Sequence, residues 1–458
     1  MKLTLAQAVG ATRGRVLHES AFPSELRIVT DTRTIERGDV FLALRGENFD
    51  GHAYTGDAIG KGAAAVIVDR AEAAGAAPAL VVAETKHAYM DLAATARAAF
   101  PGRVIGITGS AGKTTTKHLL AQLLAAHYGA DDVLASPANE NNEIGVSKLL
   151  LSVQPYHRVL VVEMGARHEG DIAVLVQVAR PQIGILTNIG EAHLEIFGSR
   201  ERLARTKWGL FSLGAQAVLN AGDSESVLRA AALDSPPLWF GAGKPRVPGV
   251  WIEDDGTLSL TYGSDVETHA LEIPLPGAHN RANLAAAIAG ALIAGVPAGT
   301  IAARVPQLTL PPGRYERMTM PGGMHVIYDA YNANATGMIA TLDAFAGEPA
   351  ERRIAVLASM AELGSDAPAL HERVGAHAAK ANVDMLLCGG DFASSLAAGA
   401  MAAGFPSDRI ELFRSNGDAV RWLRDHAGPR DAVLLKGSRK YKMEEIVQTL
   451  RESQDAPR

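Results

Sequence analysis

At 458 residues the chain is too long for a single hydrophobic core, and with 47% hydrophobic residues it has apolar material for several. A formal net charge of −6 leaves no basic excess, which argues against nucleic acid as a partner. The single cysteine, Cys388, excludes an internal disulfide framework and fits a reducing compartment; set in Met385-Leu386-Leu387-Cys388, it reads as a small core residue.

The chain opens on Met1-Lys2-Leu3-Thr4-Leu5-Ala6-Gln7, which lacks the continuous apolar core of a secretion signal. No later run is long and apolar enough to span a bilayer, so the expected location is the cytoplasm, with no membrane partner. Residues 1–100 carry short β-type runs at Arg27–Val29, Val40–Leu44, Ala65–Val68 and Leu80–Val82, then a helical stretch at Ala88–Phe100. Pro101-Gly102 makes a break. Residues 101–313 alternate strands and helices, as a mostly parallel sheet requires. Val104–Ile107, Val159–Glu163 and Ile183–Asn188 are apolar strands, the last two ending in polar residues, whereas 245–275 looks like an antiparallel insertion. Pro311-Pro312-Gly313 ends this segment. Residues 314–458 alternate again, with strands at Val326–Asp329, Ile354–Leu357, Met385–Leu387 and Val433–Leu435. The predicted fold is α/β in three domains: a small α/β N-terminal domain, a central parallel-sheet domain with a phosphate loop, and a Rossmann-like C-terminal domain.

The most informative stretch is Thr108-Gly109-Ser110-Ala111-Gly112-Lys113-Thr114-Thr115-Thr116, between a strand and a helix marked by Leu119, Leu120, Leu123 and Leu124. Its glycines let backbone N–H groups turn inward around an anion, and the helix N-terminus adds a favourable dipole. Lys113 supplies a cation for the outer phosphates and Thr114 a hydroxyl for Mg²⁺. The strict pattern wants a glycine where this chain has Ile107, with Gly106 one place early. ATP binding is therefore expected of Gly109 to Thr115.

A phosphate loop needs a metal, and Glu163 ends a buried strand. A carboxylate there demands a cation or hydrogen bonds, so it reads as a Mg²⁺ ligand or as a cap for the segment near His168. His193, near the end of the 183–188 strand, is not separated from a structural histidine by its spacing. Lys207 reads by composition as a surface lysine on a helix. His279, Asn280 and Asn283 open an Ala-rich helix, either as caps or as groups facing a base or ribose. Arg314, at the second junction, is placed to reach a phosphate across a cleft. Asp329, Tyr331, Asn332 and Asn334 crowd one strand end, where Asx turns are the bland alternative. Lys436-Gly437-Ser438-Arg439 follows another strand, and its cations suit a carboxylate.

Together these motifs resemble the Mur ligases of bacterial cell-wall synthesis, in order and over nearly the whole chain. Further matching stretches are Asn141-Asn142-Glu143-Ile144-Gly145, Glu163-Met164-Gly165, His193-Leu194-Glu195, and Met360–Gly364 with His371. The resemblance implies a first domain that binds the UDP end of a sugar-peptide through Thr30, Asp31, Thr32, Arg33, Asn48, Asp50 and His52. It implies a central domain for ATP and Mg²⁺, with Thr114, Glu163, His193 and Lys207 around the metal. Lys207 would be the lysine that the family carbamylates, turning a cation into a carboxylate-like ligand. Lys113, Lys207, His193 and Glu163 would carry catalysis. Asn141, Asn142, Asp329, Tyr331, Asn332, Asn334, Lys436 and Ser438 would face substrate.

Asp329–Asn334 resembles the signature of the member that adds D-alanyl-D-alanine to UDP-N-acetylmuramoyl-tripeptide through an acyl phosphate. Small-molecule substrates and a monomer are expected. Another Mur-type or folylpolyglutamate synthase-like ligase is the alternative. The chain departs from the family pattern at Gly209, Tyr328, Ala335, Ala358 and Ser359, mostly on the acceptor side.

Overall fold

Long apolar runs with no alternation need cover on both faces, and the sheets provide it. The computed structural model describes residues 2–19, 22–46, 49–190, 194–262 and 265–452. Among these residues the strands form three main sheets, one after another along the chain. The first runs in the order Arg15–Leu17, Ala79–Val81, Ala65–Val68, Val40–Leu42, Ile28–Val29. It is parallel except for Arg15–Leu17.

Helix Thr85–Ala99 leads from that sheet into the middle one, capped by Glu84, whose carboxylate accepts from the N–H groups of Lys86 and His87. Near its end the buried Arg97 donates to the carbonyls of Ala179 (2.7 Å), Arg180 (3.0 Å) and Phe100 (3.1 Å). One guanidinium thus ties the first domain to the last turn of a helix in the middle one.

The middle sheet is ordered Asp265–Ala270, Thr257–Tyr262, Gly249–Ile252, Leu238–Ala242, Gln216–Asn220, Ile183–Leu186, Arg103–Thr108, Val159–Glu163, Val133–Ala135. It is parallel from Val133–Ala135 through Gly249–Ile252. The last two strands are antiparallel. Helices Lys113–Tyr128 and Ala278–Ile293 cover one face, burying Leu119, Leu120, Leu123 and Leu124 against Ile105, Ile107 and Ile185. Glu143–Leu151 and Asp171–Ala179 cover the other. The stretch 245–275 is not an insertion apart from the sheet but its continuing edge. Val250, Ile252, Leu258 and Leu260 alternate onto the face under helix Ala278–Ile293, and that burial holds them in the sheet.

The third sheet is ordered Glu316–Thr319, His325–Tyr328, Asp431–Lys436, Arg352–Ala358, Met385–Gly389, Ile410–Phe413, parallel after its first pair. Its two edge strands, Glu316–Thr319 and Ile410–Phe413, are mostly uncovered, and the first carries little apolar signal. Cys388 is a core residue, its thiol pushed up to about 12 by burial. No helix among the described residues is long and apolar enough to cross a membrane.

Two strand-order reversals decide where ligands go. In the middle sheet Arg103–Thr108 lies between Val159–Glu163 and Ile183–Leu186; in the third, Asp431–Lys436 lies between His325–Tyr328 and Arg352–Ala358. Carboxyl ends of strands at such points leave a crevice that the connecting helices do not fill.

Replacing Arg97 with Met strips two buried carbonyls and one half-buried carbonyl of their donor. We expect a loss of about 2–4 kcal/mol, read as an earlier first transition in urea, with the phosphate-loop domain the last to unfold.

Candidate active site

The loop after Arg103–Thr108 turns because two glycines leave no room for a side chain. Gly109 has φ +151°, and a Cβ there would lie 1.8 Å from Thr187 Oγ1. Gly112 has φ +82°, and a Cβ would lie 2.3 Å from Asn283 Oδ1. The neighbouring strand end clasps the loop. Asn188 Oδ1 accepts from Ala111 N (3.0 Å), its Nδ2 donates to Ala111 O (3.1 Å), and Thr187 Oγ1 donates to the same carbonyl (2.6 Å).

Lys113 Nζ donates to Gly109 O at 2.7 Å, and Lys207 Nζ donates to that same oxygen at 3.1 Å. Lys207 is 2% exposed, so the surface position that its composition implied is overturned. Helix Arg200–Trp208 turns it inward beside the phosphate loop, where no described carboxylate pairs with it. Burial, and then Lys113, hold its ammonium well below the ordinary lysine value. Lys113 is lowered too, mainly by desolvation, with Glu163 opposing.

Glu163, 1% exposed, is the negative centre. Its Oε1 accepts from Asn141 Nδ2 (2.9 Å) and Thr114 Oγ1 (3.2 Å), and its Oε2 pairs with Lys117 Nζ at 2.9 Å. It caps no helix: the next one, Asp171–Ala179, has Gly170 at its N-cap. Lys117 was not singled out from the sequence, although it lies one turn beyond Lys113 on the same helix face, which is the signal that finds it.

A cavity of about 340 Å³ opens between the middle and third sheets. On the middle side it is lined by Gly112, Lys113, Thr114, Thr115, Asn188, Asn220, Phe240, His279, Asn280 and Asn283; Arg314, Asp329, Asn332, Asn334 and Lys436 face them. Ser110 and Ala111 border it, and a smaller adjoining cleft runs from them to Asn334. Asn220 and Phe240 went unnoticed because each sits on a strand with no motif around it. Burial pushes His279 down to about 4, so its imidazole is neutral near pH 7, and its buried Nδ1 has no hydrogen-bond partner. Asn280 donates to Pro276 O, and Asn283 to Asn280 Oδ1 at 3.4 Å.

Several residues are already spent on structure. Lys436 Nζ donates to the carbonyls of Asp329 (2.9 Å) and Asn332 (3.1 Å) and pairs with Asp329 Oδ2 (3.0 Å), so it braces the 329–332 turn. Asn334 and Asn142 are helix N-caps, accepting from Gly337 N and Gly145 N. Ser438 N donates to Ser359 O, and Ser438 Oγ accepts from Lys440 N.

The first-domain residues stand apart from the cavity. Asp31 is held down at about 2 by Arg33, which pairs with it at 2.6 Å. Lys148, on helix Glu143–Leu151 of the middle domain, also pulls weakly on Asp31. His52 donates from Nδ1 to Asp50 (2.6 Å) and accepts at Nε2 from Asp69 N (3.1 Å). His193 and Asn48 lie outside the described residues.

The donors around Glu163 are hard oxygens from a carboxylate and a hydroxyl, beside a loop built for phosphate, and this set suits Mg²⁺ sharing its shell with phosphate and water. Among the described residues no cluster of three His, Cys, Asp or Glu offers a metal cage. Fold and site therefore define a phosphate-loop nucleotide enzyme whose pocket closes between two α/β domains. Known proteins agree. Family models match residues 27–99 (Mur ligase family, catalytic domain), 107–291 (Mur ligase middle domain) and 313–439 (Mur ligase, glutamate ligase domain). A relative from Synechocystis, named UDP-N-acetylmuramoyl-tripeptide--D-alanyl-D-alanine ligase, is 36% identical over 92% of this chain and 91% of its own. Similar solved structures are MurF from Acinetobacter baumannii (TM-score 0.87, 29% identity, 99% of each chain) and MurF ligase from Thermotoga maritima in complex with ADP (TM-score 0.79, 27% identity, 93% and 97%). The chain belongs to the Mur ligase family.

Lys207 also sets a pH dependence. Its folded value lies below its unfolded one, so the unfolded chain holds more protons between the two values and stability rises with pH there. In CO₂-free buffer without nucleotide, Lys207→Met should melt higher than wild type at pH 7. The gap should shrink as pH climbs towards the ordinary lysine value, as followed by calorimetry.

Proposed function

We infer that the chain is an ATP-dependent amide ligase joining D-alanyl-D-alanine to UDP-N-acetylmuramoyl-tripeptide, with ADP and phosphate as the other products. Full-length relatives carrying that name support it over a folylpolyglutamate synthase-like ligase. The observation that carries the chemistry is the cavity between the middle and third sheets, where Lys113 and Arg314 face each other across room for a triphosphate.

A carboxylate resists an amine because it is already anionic. A carboxylate oxygen of the tripeptide attacks the γ-phosphorus, the bond to the β–γ bridging oxygen breaks, and ADP leaves. The amine of the dipeptide then adds to the acyl carbon, inorganic phosphate departs, and the amine's proton goes with it to solvent. Lys113 and the loop N–H groups stabilise charge as it moves to the bridging oxygen; positioning and electrostatics do most of the work in such transfers. Thr114 and Glu163 would hold Mg²⁺, which when bound neutralises charge on the outer phosphates. Asn188 keeps the loop in shape, while His279, Asn280 and Asn283 line the wall for the base or ribose. Closure of the third domain excludes water from the acyl phosphate.

Lys207 suits carbamylation. Only a neutral amine adds to CO₂, and a buried lysine with no carboxylate partner beside another lysine is held towards neutrality. The first domain holds the UDP end through the Thr30–Arg33 turn and the Asp50–His52 segment, and the third holds the dipeptide. The enzyme works as a monomer in the cytoplasm.

Phosphate release should require tripeptide, ATP and dipeptide together; release at full rate without dipeptide would remove this reading. Lys113→Ala should lower turnover by at least about 100-fold, while calorimetry finds UDP-tripeptide binding nearly intact. Stripping CO₂ should slow the wild type and bicarbonate restore it. Lys207→Arg should be slow and indifferent to bicarbonate.

A further inference from the structure

Two cations in the third domain share one aromatic ring. Arg314 Cζ lies 4.7 Å from the centroid of Tyr331, and Arg439 Cζ lies 5.6 Å from it. Both distances are within cation–π range. Neither guanidinium has a carboxylate at salt-bridge distance among the described residues, and Arg314 Nε is buried without a hydrogen-bond partner. Like charges gathered this way await anions.

Topology makes the arrangement. Strands His325–Tyr328 and Asp431–Lys436 are parallel neighbours, with Tyr328 opposite Leu435, so the turns beyond their ends lie side by side. Tyr331 is on the first turn and Arg439 on the second. Arg314 comes from the junction between domains, whose Gly313 carbonyl accepts from Tyr331 N at 3.4 Å. Gly313 has φ +71°, and a Cβ there would lie in ordinary contact, 3.5 Å from Tyr331 Cβ. The ring is thus tied to the junction on one side and to the acceptor-side turn on the other. Its phenol oxygen is buried and makes no hydrogen bond of good geometry, and the ring carries the contacts with both guanidiniums.

We propose that Tyr331 is a positioning residue that aims two arginines at two different anions, Arg314 at the terminal phosphates of ATP and Arg439 at the free carboxylate of the acceptor dipeptide. The proposal rests on the ligase function above and adds to it a single side chain that registers nucleotide against acceptor. Arg314 already lines the cavity opposite Lys113. Arg439 directly follows Ser438 on a turn pinned to Ser359. Burial raises the phenol while both arginines pull it back, as proximity of the three groups requires.

The test compares Tyr331→Leu with Tyr331→Phe by initial rates. The Leu variant should raise KM for ATP and for dipeptide about tenfold each, leaving KM for UDP-tripeptide within about twofold. The Phe variant keeps the ring and should recover at least half of each loss. A dipeptide with its C-terminus as the carboxamide supplies a second readout: wild type should prefer the acid, and both Arg439→Met and Tyr331→Leu should lose that preference. Three KM values moving together, a Phe variant as impaired as Leu, or an undiminished preference for the acid in Arg439→Met would each overturn the proposal. Calorimetric titration with adenylyl imidodiphosphate keeps the two claims separable. If wild type makes no amide, the ligase reading falls, while weaker analogue binding by Tyr331→Leu still reports on Arg314.

Discussion

An excess of enclosed positive charge governs this molecule. Lys113 and Lys117 lie beside one buried carboxylate, Glu163, with Lys207 and Arg314 beside Lys113, and that carboxylate already pairs with Lys117. Desolvating cations without counter-charges is costly. The side chains of the site are therefore short of negative charge, which a triphosphate brings. Lys113 and Lys207 both lean on Gly109 O, a single dipole shared by two ammonium groups. That sharing is a weak substitute for an anion, and burial, with Arg314 beside Lys113 and Lys113 beside Lys207, pushes both lysines towards the neutral form.

The sheets make such a concentration possible. Parallel strands deliver all their carboxyl ends to one edge, so Glu163, Thr108 and Thr187–Asn188 meet although they are far apart in sequence. The third sheet repeats the device with Asp329 and Lys436. The cavity lies where these two edges face one another. Residues such as Lys436, Asn334 and Asn188 spend their polar groups on holding turns, which leaves a stiff frame around the groups that face the cavity. The first domain joins through Arg97 and the Lys86–Glu143 pair, with the Asn141–Asn142 turn running between it and Glu163.

Much of the fold was legible because its signals are local. Continuous apolar strands, glycine breaks and leucines at helical spacing mark the central strands and the phosphate-loop helix without reference to the rest of the chain. Strands such as Glu316–Thr319 and Ile410–Phe413 escaped because an edge strand is stabilised by its one neighbour rather than by an apolar run. The 245–275 segment was read as an antiparallel insertion, and its pairing is antiparallel, but alternation does not say which sheet supplies the partner.

The site divides along the same line. A glycine loop with Lys113 and Thr114 declares its chemistry in nine consecutive residues, since the backbone itself makes the cradle. The sequence by itself determined that anion cradle, the alternation of elements around it and the polar strand ends at Glu163 and Asp329. Only the tertiary structure decided that Lys207 is buried beside Lys113, that Lys117 answers Glu163, and that one tyrosine ring serves two arginines. Those outcomes depend on desolvation and on charges brought together from distant segments, and burial is a property of the packed sheets rather than of any stretch of chain.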